Sequence, residues 1–215
     1  MSVHKRWCVL AAALALGACA ASPPRGYVAR VEQLALLETL NADLLSHDSA
    51  TLTLEAWCAA HRMAQPAKIV ALRDKTVQRE PSAETREKLS IAPDEPLRYR
   101  RVQLACGTHV LSEADNWYVP ARLTPDMNRR LDETDEPFGK VVSALGFTRR
   151  TFASERLWSP LASGWEMQAP AARDASPPTP PHALLQHRAL LSDRDGRPFS
   201  LVVETYTSEL LAFAP

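Results

Sequence analysis

Glycine is scarce in this sequence, with seven in 215 residues, and none of them falls into a G-x-G-x-x-G or G-x-x-x-x-G-K loop. The backbone cradles that hold a dinucleotide or a nucleotide phosphate are therefore missing. G-x-S-x-G, H-E-x-x-H and C-x-x-C are absent too, which removes the serine-hydrolase elbow, the helical zinc protease and the dithiol redox motif. Nor is there an excess of charge: 25 Lys and Arg stand against 25 Asp and Glu, for a formal net charge of zero. Proteins that live on nucleic acid carry a basic excess, so no nucleic-acid partner is expected. The six histidines are scattered without ligand spacing, and no metal site is expected from them. Cysteine is limited to Cys8, Cys19, Cys58 and Cys106.

What the chain does have begins at its start. His4-Lys5-Arg6 is followed by an apolar run over 7–16 and then by Leu16-Gly17-Ala18-Cys19. That order is the order of an export signal, and the run is short for a bilayer-spanning helix. The tetrapeptide resembles the lipobox of bacterial lipoproteins. The resemblance implies that residues 1–18 are a signal peptide and that Cys19 becomes the lipid-bearing N-terminus, with palmitate-type acyl chains. Each buried CH₂ contributes about 0.8 kcal/mol, so several chains together anchor a protein durably in a membrane. Ala20 and Ala21, in place of Asp, favour the periplasmic face of the outer membrane. Cys8 leaves with the signal. Cys58 and Cys106 remain, either paired in an oxidising periplasm or as two buried thiols, and spacing alone does not decide between them.

After a Pro- and Gly-punctuated tether over 19–27, the remaining residues, 28–215, are enough for one domain with a real core. Val31, Leu34, Leu37, Leu40 and Leu44 recur at helical spacing over 28–45, and a second helix is expected over 51–62 behind Asp48-Ser49. Strands are expected over 68–78, 97–105, 109–119, 147–158, 184–191 and 199–207. Thr124-Pro125 and Asp135-Glu136-Pro137 read as helix starts. The charged segment 79–95 reads as a solvated connection, and 169–181, crowded with Pro and Ala, as an exposed loop. Helices first and hairpin-linked strands after argue for a single α+β domain on a mainly antiparallel sheet.

Three segments together resemble the chorismate lyases, which cleave chorismate to 4-hydroxybenzoate and pyruvate. The first is Leu44-Leu45-Ser46-His47-Asp48-Ser49-Ala50-Thr51. The second runs from Arg101 through Cys106 and Tyr118-Val119-Pro120 to Pro137-Phe138-Gly139. The third is Gly196-Arg197-Pro198 with Val203-Glu204-Thr205. The resemblance implies a six-stranded antiparallel sheet with flanking helices and an enclosed site for a small aromatic or enol-pyruvyl carboxylic acid, with no cofactor and no metal. Residue by residue, it implies Arg101 and Glu204 as the catalytic pair. The main-chain amides of Ala50 and Phe138 are implied as holders of ligand oxygen atoms.

Elementary chemistry agrees with those roles. Ala50 and Phe138 follow helix-start signals, where free N–H groups and the helix dipole favour an anion. An arginine offers a planar, bidentate partner to a carboxylate. A glutamate among apolar strand neighbours is placed to donate a proton to the ether oxygen as pyruvate leaves. Without the resemblance, Arg98, Arg100 and Arg101 read as a solvated strand face, and Glu204 as an ion-pair candidate. The chain departs from the family where Asp115-Asn116 stands in place of a Gly-Arg pair, in the 169–181 insertion, and in its export. A non-catalytic, membrane-tethered binder of a small aromatic acid is the competing reading, and a structural envelope lipoprotein is a third.

Overall fold

Along β2 (Arg98–Cys106), Arg100, Val102, Leu104 and Cys106 turn one way into the interior, while Tyr99, Arg101 and Gln103 turn the other. The same alternation orients the whole sheet. The computed structural model describes residues 25–168 and 178–213. Its other strands are β1 (Ile69–Asp74), β3 (His109–Tyr118), β4 (Thr148–Arg156), β5 (Ala183–Ser192) and β6 (Pro198–Thr207). They pair antiparallel throughout, in the order β1-β2-β3-β6-β5-β4. The fold is the expected one, a single α+β domain on a six-stranded antiparallel sheet with flanking helices.

The helices are α1 (Arg25–Ser46), α2 (Ala50–Ala60), α3 (Ala83–Leu89), α4 (Pro125–Glu133) and α5 (Phe138–Val141). Four of them cover one sheet face. Leu37, Leu40 and Leu44 of α1, Leu54 and Trp57 of α2, and Met127 and Leu131 of α4 share a core with Val102, Leu104, Val202 and Tyr206. A fully buried leucine contributes roughly 1.5–3 kcal/mol, so the three leucines of α1 hold a long helix whose outer side is polar.

Helix α3 lies on the opposite face, where Leu89 packs with Trp117, Leu190 and Leu201. It corrects the reading of 79–95 as a solvated connection. The Ser82 side chain caps it by accepting the Thr85 N–H at 3.1 Å, and one fully buried leucine anchors it. Glu84, Arg86, Glu87 and Lys88 hide that single apolar point in the sequence.

The first helix also starts earlier than expected, at Arg25, inside the segment 19–27 read as tether. Tyr27 packs against Trp165 with ring centroids 6.3 Å apart, and Arg30 Nη1 donates to the Pro160 carbonyl at 3.1 Å. These tertiary contacts extend the helix beyond its apolar period. The signal segment, Cys19 and residues 169–177 of the proline-rich loop lie outside the described residues. Among the described residues no helix is long and apolar enough to cross a membrane.

Cys58 of α2 and Cys106 at the end of β2 are joined in a disulfide, with Cα atoms 6.5 Å apart. That answers the question spacing left open. The bond ties the helix to the sheet just before the β2–β3 turn. There Gly107 has a φ of +58°, and a Cβ would come within 2.8 Å of Ala64 Cβ.

Candidate functional site

The start of α2 forms one wall of a cavity. Ser49, in extended conformation, accepts the Leu52 N–H on its Oγ at 3.3 Å and the Thr53 N–H on its carbonyl at 3.0 Å. The first four N–H groups of a helix have no intrahelical partner, and this leaves those of Ala50 and Thr51. Both residues line a cavity of about 60 Å³. Phe138, which opens α5, lines the other wall with Gly139. A Cβ on Gly139 would lie 3.4 Å from Ser49 Oγ and 3.5 Å from Thr51 Oγ1, so the two helix starts meet where no side chain stands. Val102, Leu104, Ala114, Asn116, Val202 and Glu204 form the floor. A water needs roughly 10–15 Å³ of such space, so the cavity is on the scale of a small organic group.

Glu204 is where the sequence reading placed it, at the cavity. Its partner is Arg149 of β4, which that reading missed. Arg149 Nη2 donates to Glu204 Oε2 at 2.5 Å, with 3 % and 7 % of the two side chains exposed. Tyr206 OH donates to the same oxygen at 3.2 Å. Arg149 Nη1 donates to Thr151 Oγ1 at 2.7 Å and to the Leu44 carbonyl at 3.2 Å, and the Arg149 N–H donates to Asp48 Oδ1 at 2.8 Å. Burial lowers the pKa of this guanidinium, but Glu204, Tyr206 and Asp48 together outweigh it and the net shift is upward. Burial, with Glu204 beside it, pushes the Tyr206 phenol well above its ordinary value. Glu204 Oε2 is an acceptor in both contacts, where proton donation was expected of it.

Arg101 is not at the cavity. It lies on the outer face of the sheet, where Nη2 meets Glu113 Oε2 at 2.9 Å and Nη1 meets Asp115 Oδ2 at 3.1 Å. Arg79 Nη1 and Tyr99 OH close on the same Asp115, whose side chain is buried beneath them. The Asp115 carboxylate is thus engaged on the far side, and only Asn116 of the Asp115-Asn116 pair faces the cavity. Asn116 Oδ1 accepts from Ser200 Oγ at 2.6 Å.

The preceding residue, Arg100, points inward. It is 2 % exposed, beside Val102 on the same face and across from Asn116 in the register, but it does not itself line the cavity. The groups acting on it are Arg73, Tyr118, Asp132 and Asp135. Its Nε and Nη2 are buried with no hydrogen-bond partner among the described residues. Burial, with a smaller contribution from Arg73, lowers its pKa to about 10. The signal for this assignment was present in the sequence: stepping back by two from Cys106, Leu104 and Val102 reaches Arg100, not Arg101.

His187, another residue the sequence reading passed over, sits on β5 opposite Glu204. It is fully buried, shares a hydrogen bond of 2.9 Å between Nε2 and Asn41 Oδ1, and meets the Tyr206 ring edge-on. Burial, reinforced by Arg149, lowers its pKa to about 4. Among the described residues no group of three His, Cys, Asp or Glu side chains gathers closely enough to hold a metal ion.

Fold and site together define an α+β domain that encloses a small cavity on the inner face of an antiparallel sheet. No family model matches the chain. The y4mC protein of Sinorhizobium fredii is 52% identical over 188 residues, covering 86% of this chain and 79% of that protein, and the chain belongs to its family. Solved structures with a related backbone include the effector domain of PhnF from Mycobacterium smegmatis, at 13% identity and a TM-score of 0.45, over 75% of this chain and 90% of that one. A GntR-family transcriptional regulator from Bacillus cereus has 14% identity and a TM-score of 0.40, over 68% and 96%. YydK from Bacillus subtilis has 17% identity and a TM-score of 0.41, over 68% of this chain and 60% of its own length.

Proposed function

We propose that this chain holds a small aromatic or enol-pyruvyl carboxylic acid in the cavity between α2, α5 and the sheet. The observation that carries this reading is the meeting of the Ala50 and Phe138 helix starts with the buried Arg149–Glu204 pair around one cavity. Arg149 brings a buried guanidinium to the cavity lining, a planar partner for a ligand carboxylate. The amides of Ala50 and Phe138 add donors from two helix starts, and Val102, Leu104, Ala114 and Val202 offer an apolar bed for a ring. Arg149 thereby takes the role that the resemblance to chorismate lyases assigned to Arg101.

Cleavage of chorismate to 4-hydroxybenzoate and pyruvate is the sharper form of the same proposal. Breaking the ether C–O bond expels enolpyruvate, the ring gives up a proton, and aromatisation drives the step. Such a reaction asks for positioning more than for strong chemistry. Glu204, already an acceptor from Arg149 and Tyr206, is the group beside the cavity suited to receive that proton. The full chain incubated with chorismate is expected to release pyruvate, and Glu204→Gln to slow that release by at least about tenfold. No pyruvate from wild type at high protein concentration would reject cleavage and leave binding alone, which 4-hydroxybenzoate titration then checks.

Under the same reading the domain is tethered in the bacterial envelope through lipid on Cys19, on the periplasmic face of the outer membrane. The lipobox resemblance supports this, and so does the Cys58–Cys106 disulfide, because such bonds persist in oxidising compartments. Labelling of producing cells with a palmitate analogue is expected to mark wild type and not Cys19→Ala. Equal labelling of both contradicts the tether.

A further inference from the structure

Helix α2 turns an apolar stripe outward while its two threonines, Thr51 and Thr53, are buried. Leu54, Trp57 and Cys58 enter the core, yet Leu52 is 56% exposed, and Ala56 and Ala60 are exposed as well. Those three stand at i, i+4 and i+8, one stripe along the outer surface. The helix's one charged side chain, Glu55, is occupied by Lys140 Nζ at 2.5 Å and the Ile69 N–H at 3.0 Å. A surface helix ordinarily turns a polar face to water, and this one turns an apolar stripe to it instead.

The stripe is continuous with the acid cavity. A hollow of about 470 Å³ shares Asp48, Ser49, Gly139 and Phe147 with the cavity and adds Leu52 on its outer side. Leu52 in turn borders a groove of about 570 Å³ between α1 and α2, where Ala56, Trp57 and Ala60 form the apolar wall. The cavity, the hollow at Leu52 and the α2 groove thus adjoin one another through Asp48, Ser49 and Leu52. The inner cavity is close to a tenth of the groove in volume, so the acid head alone would leave most of this apolar surface wet.

We infer that the natural ligand is an amphipathic acid, whose carboxylate end enters the cavity while an alkyl extension leaves it and lies over Leu52 and Ala56. This rests on the reading that an acid occupies the cavity. Nothing in the stripe needs a charged partner, and the groove joins the cavity at Asp48 and Ser49, so a tail on the same molecule reaches both without a second binding event.

The test is a calorimetric titration of the full chain with 4-methoxybenzoate, 4-butoxybenzoate and 4-octyloxybenzoate, in wild type, Leu52→Gln and Ala56→Gln. Both substituted positions are exposed, so the fold is retained. Burial of a methylene is worth up to about fourfold in affinity, and a gain of at least about tenfold from methoxy to octyloxy is expected in wild type. Leu52→Gln and Ala56→Gln are each expected to erase most of that gain while leaving 4-methoxybenzoate affinity within about twofold of wild type. Equal affinity along the series, or the same gain in both variants, overturns the tail and leaves acid binding standing. Failure of every benzoate to bind, 4-hydroxybenzoate included, overturns the acid reading and the tail with it.

Discussion

Arg149 of β4 and Glu204 of β6 reach across the intervening strand β5 to meet at 2.5 Å, with almost none of either side chain exposed. Breaking such a pair from one side leaves a buried charge alone. Glu204→Ala is therefore expected to destabilise the fold by roughly 3–5 kcal/mol, as urea unfolding reads it. The double variant Arg149→Met with Glu204→Leu is expected to lose less than Glu204→Ala does. A double variant less stable than the single would show that the pair is worth more than its desolvation.

His187 makes stability depend on pH. In the fold its pKa is lowered to about 4, against an ordinary 6.5, so the unfolded chain binds the proton more readily. The stabilisation is fully present above pH 6.5 and is lost as pH falls through 4, a change of about 3 kcal/mol. The groups facing His187 are Asn41 of α1 and, from the sheet, Tyr206, Arg149 and Glu204. Denaturant unfolding at pH 7 and pH 4 is expected to show a larger loss in wild type than in His187→Gln. Equal losses would remove His187 from the account.

The disulfide closes a loop between positions 48 apart in sequence. Loop-closure entropy assigns such a cross-link about 4 kcal/mol. Reduction under mild denaturant, or Cys58→Ala with Cys106→Ala, is expected to lower unfolding stability by that order. A loss under about 1 kcal/mol would mean that α2 is held to the sheet by its packing alone.

Much of the fold was legible because alternation is a strong signal where one sheet face is buried. All six strands, the order of helices and strands, and the cap before α2 appear in the sequence. Helix α3 was not legible, since Leu89 alone anchors seven residues dominated by charge. The site was legible in part. Ala50, Phe138 and Glu204 come together at one cavity, as the resemblance implied. Arg101 failed because strand faces change with every residue, and in Arg98-Tyr99-Arg100-Arg101 the choice between adjacent arginines decides which side of the sheet receives the charge. A buried arginine inverts the usual rule of polar residues outside, so the stretch read as a solvated face. Arg149 was hidden for a different reason: its β4 neighbours Thr148, Arg150 and Ser154 are polar or exposed, and only pairing with β5 turns it inward.

Arg149 at the cavity is the residue on which acid binding turns, and thermal melting with 4-hydroxybenzoate tests it. A ligand at a hundred times its Kd adds about 2.7 kcal/mol, which for a domain of this size raises Tm by about 5–10 °C. That rise is expected in wild type and in Arg101→Ala. It is expected to vanish in the double variant Arg149→Met with Glu204→Leu, which removes the cavity's guanidinium without leaving the Glu204 charge buried alone. An unchanged rise in that double variant, or its loss in Arg101→Ala, would contradict the assignment.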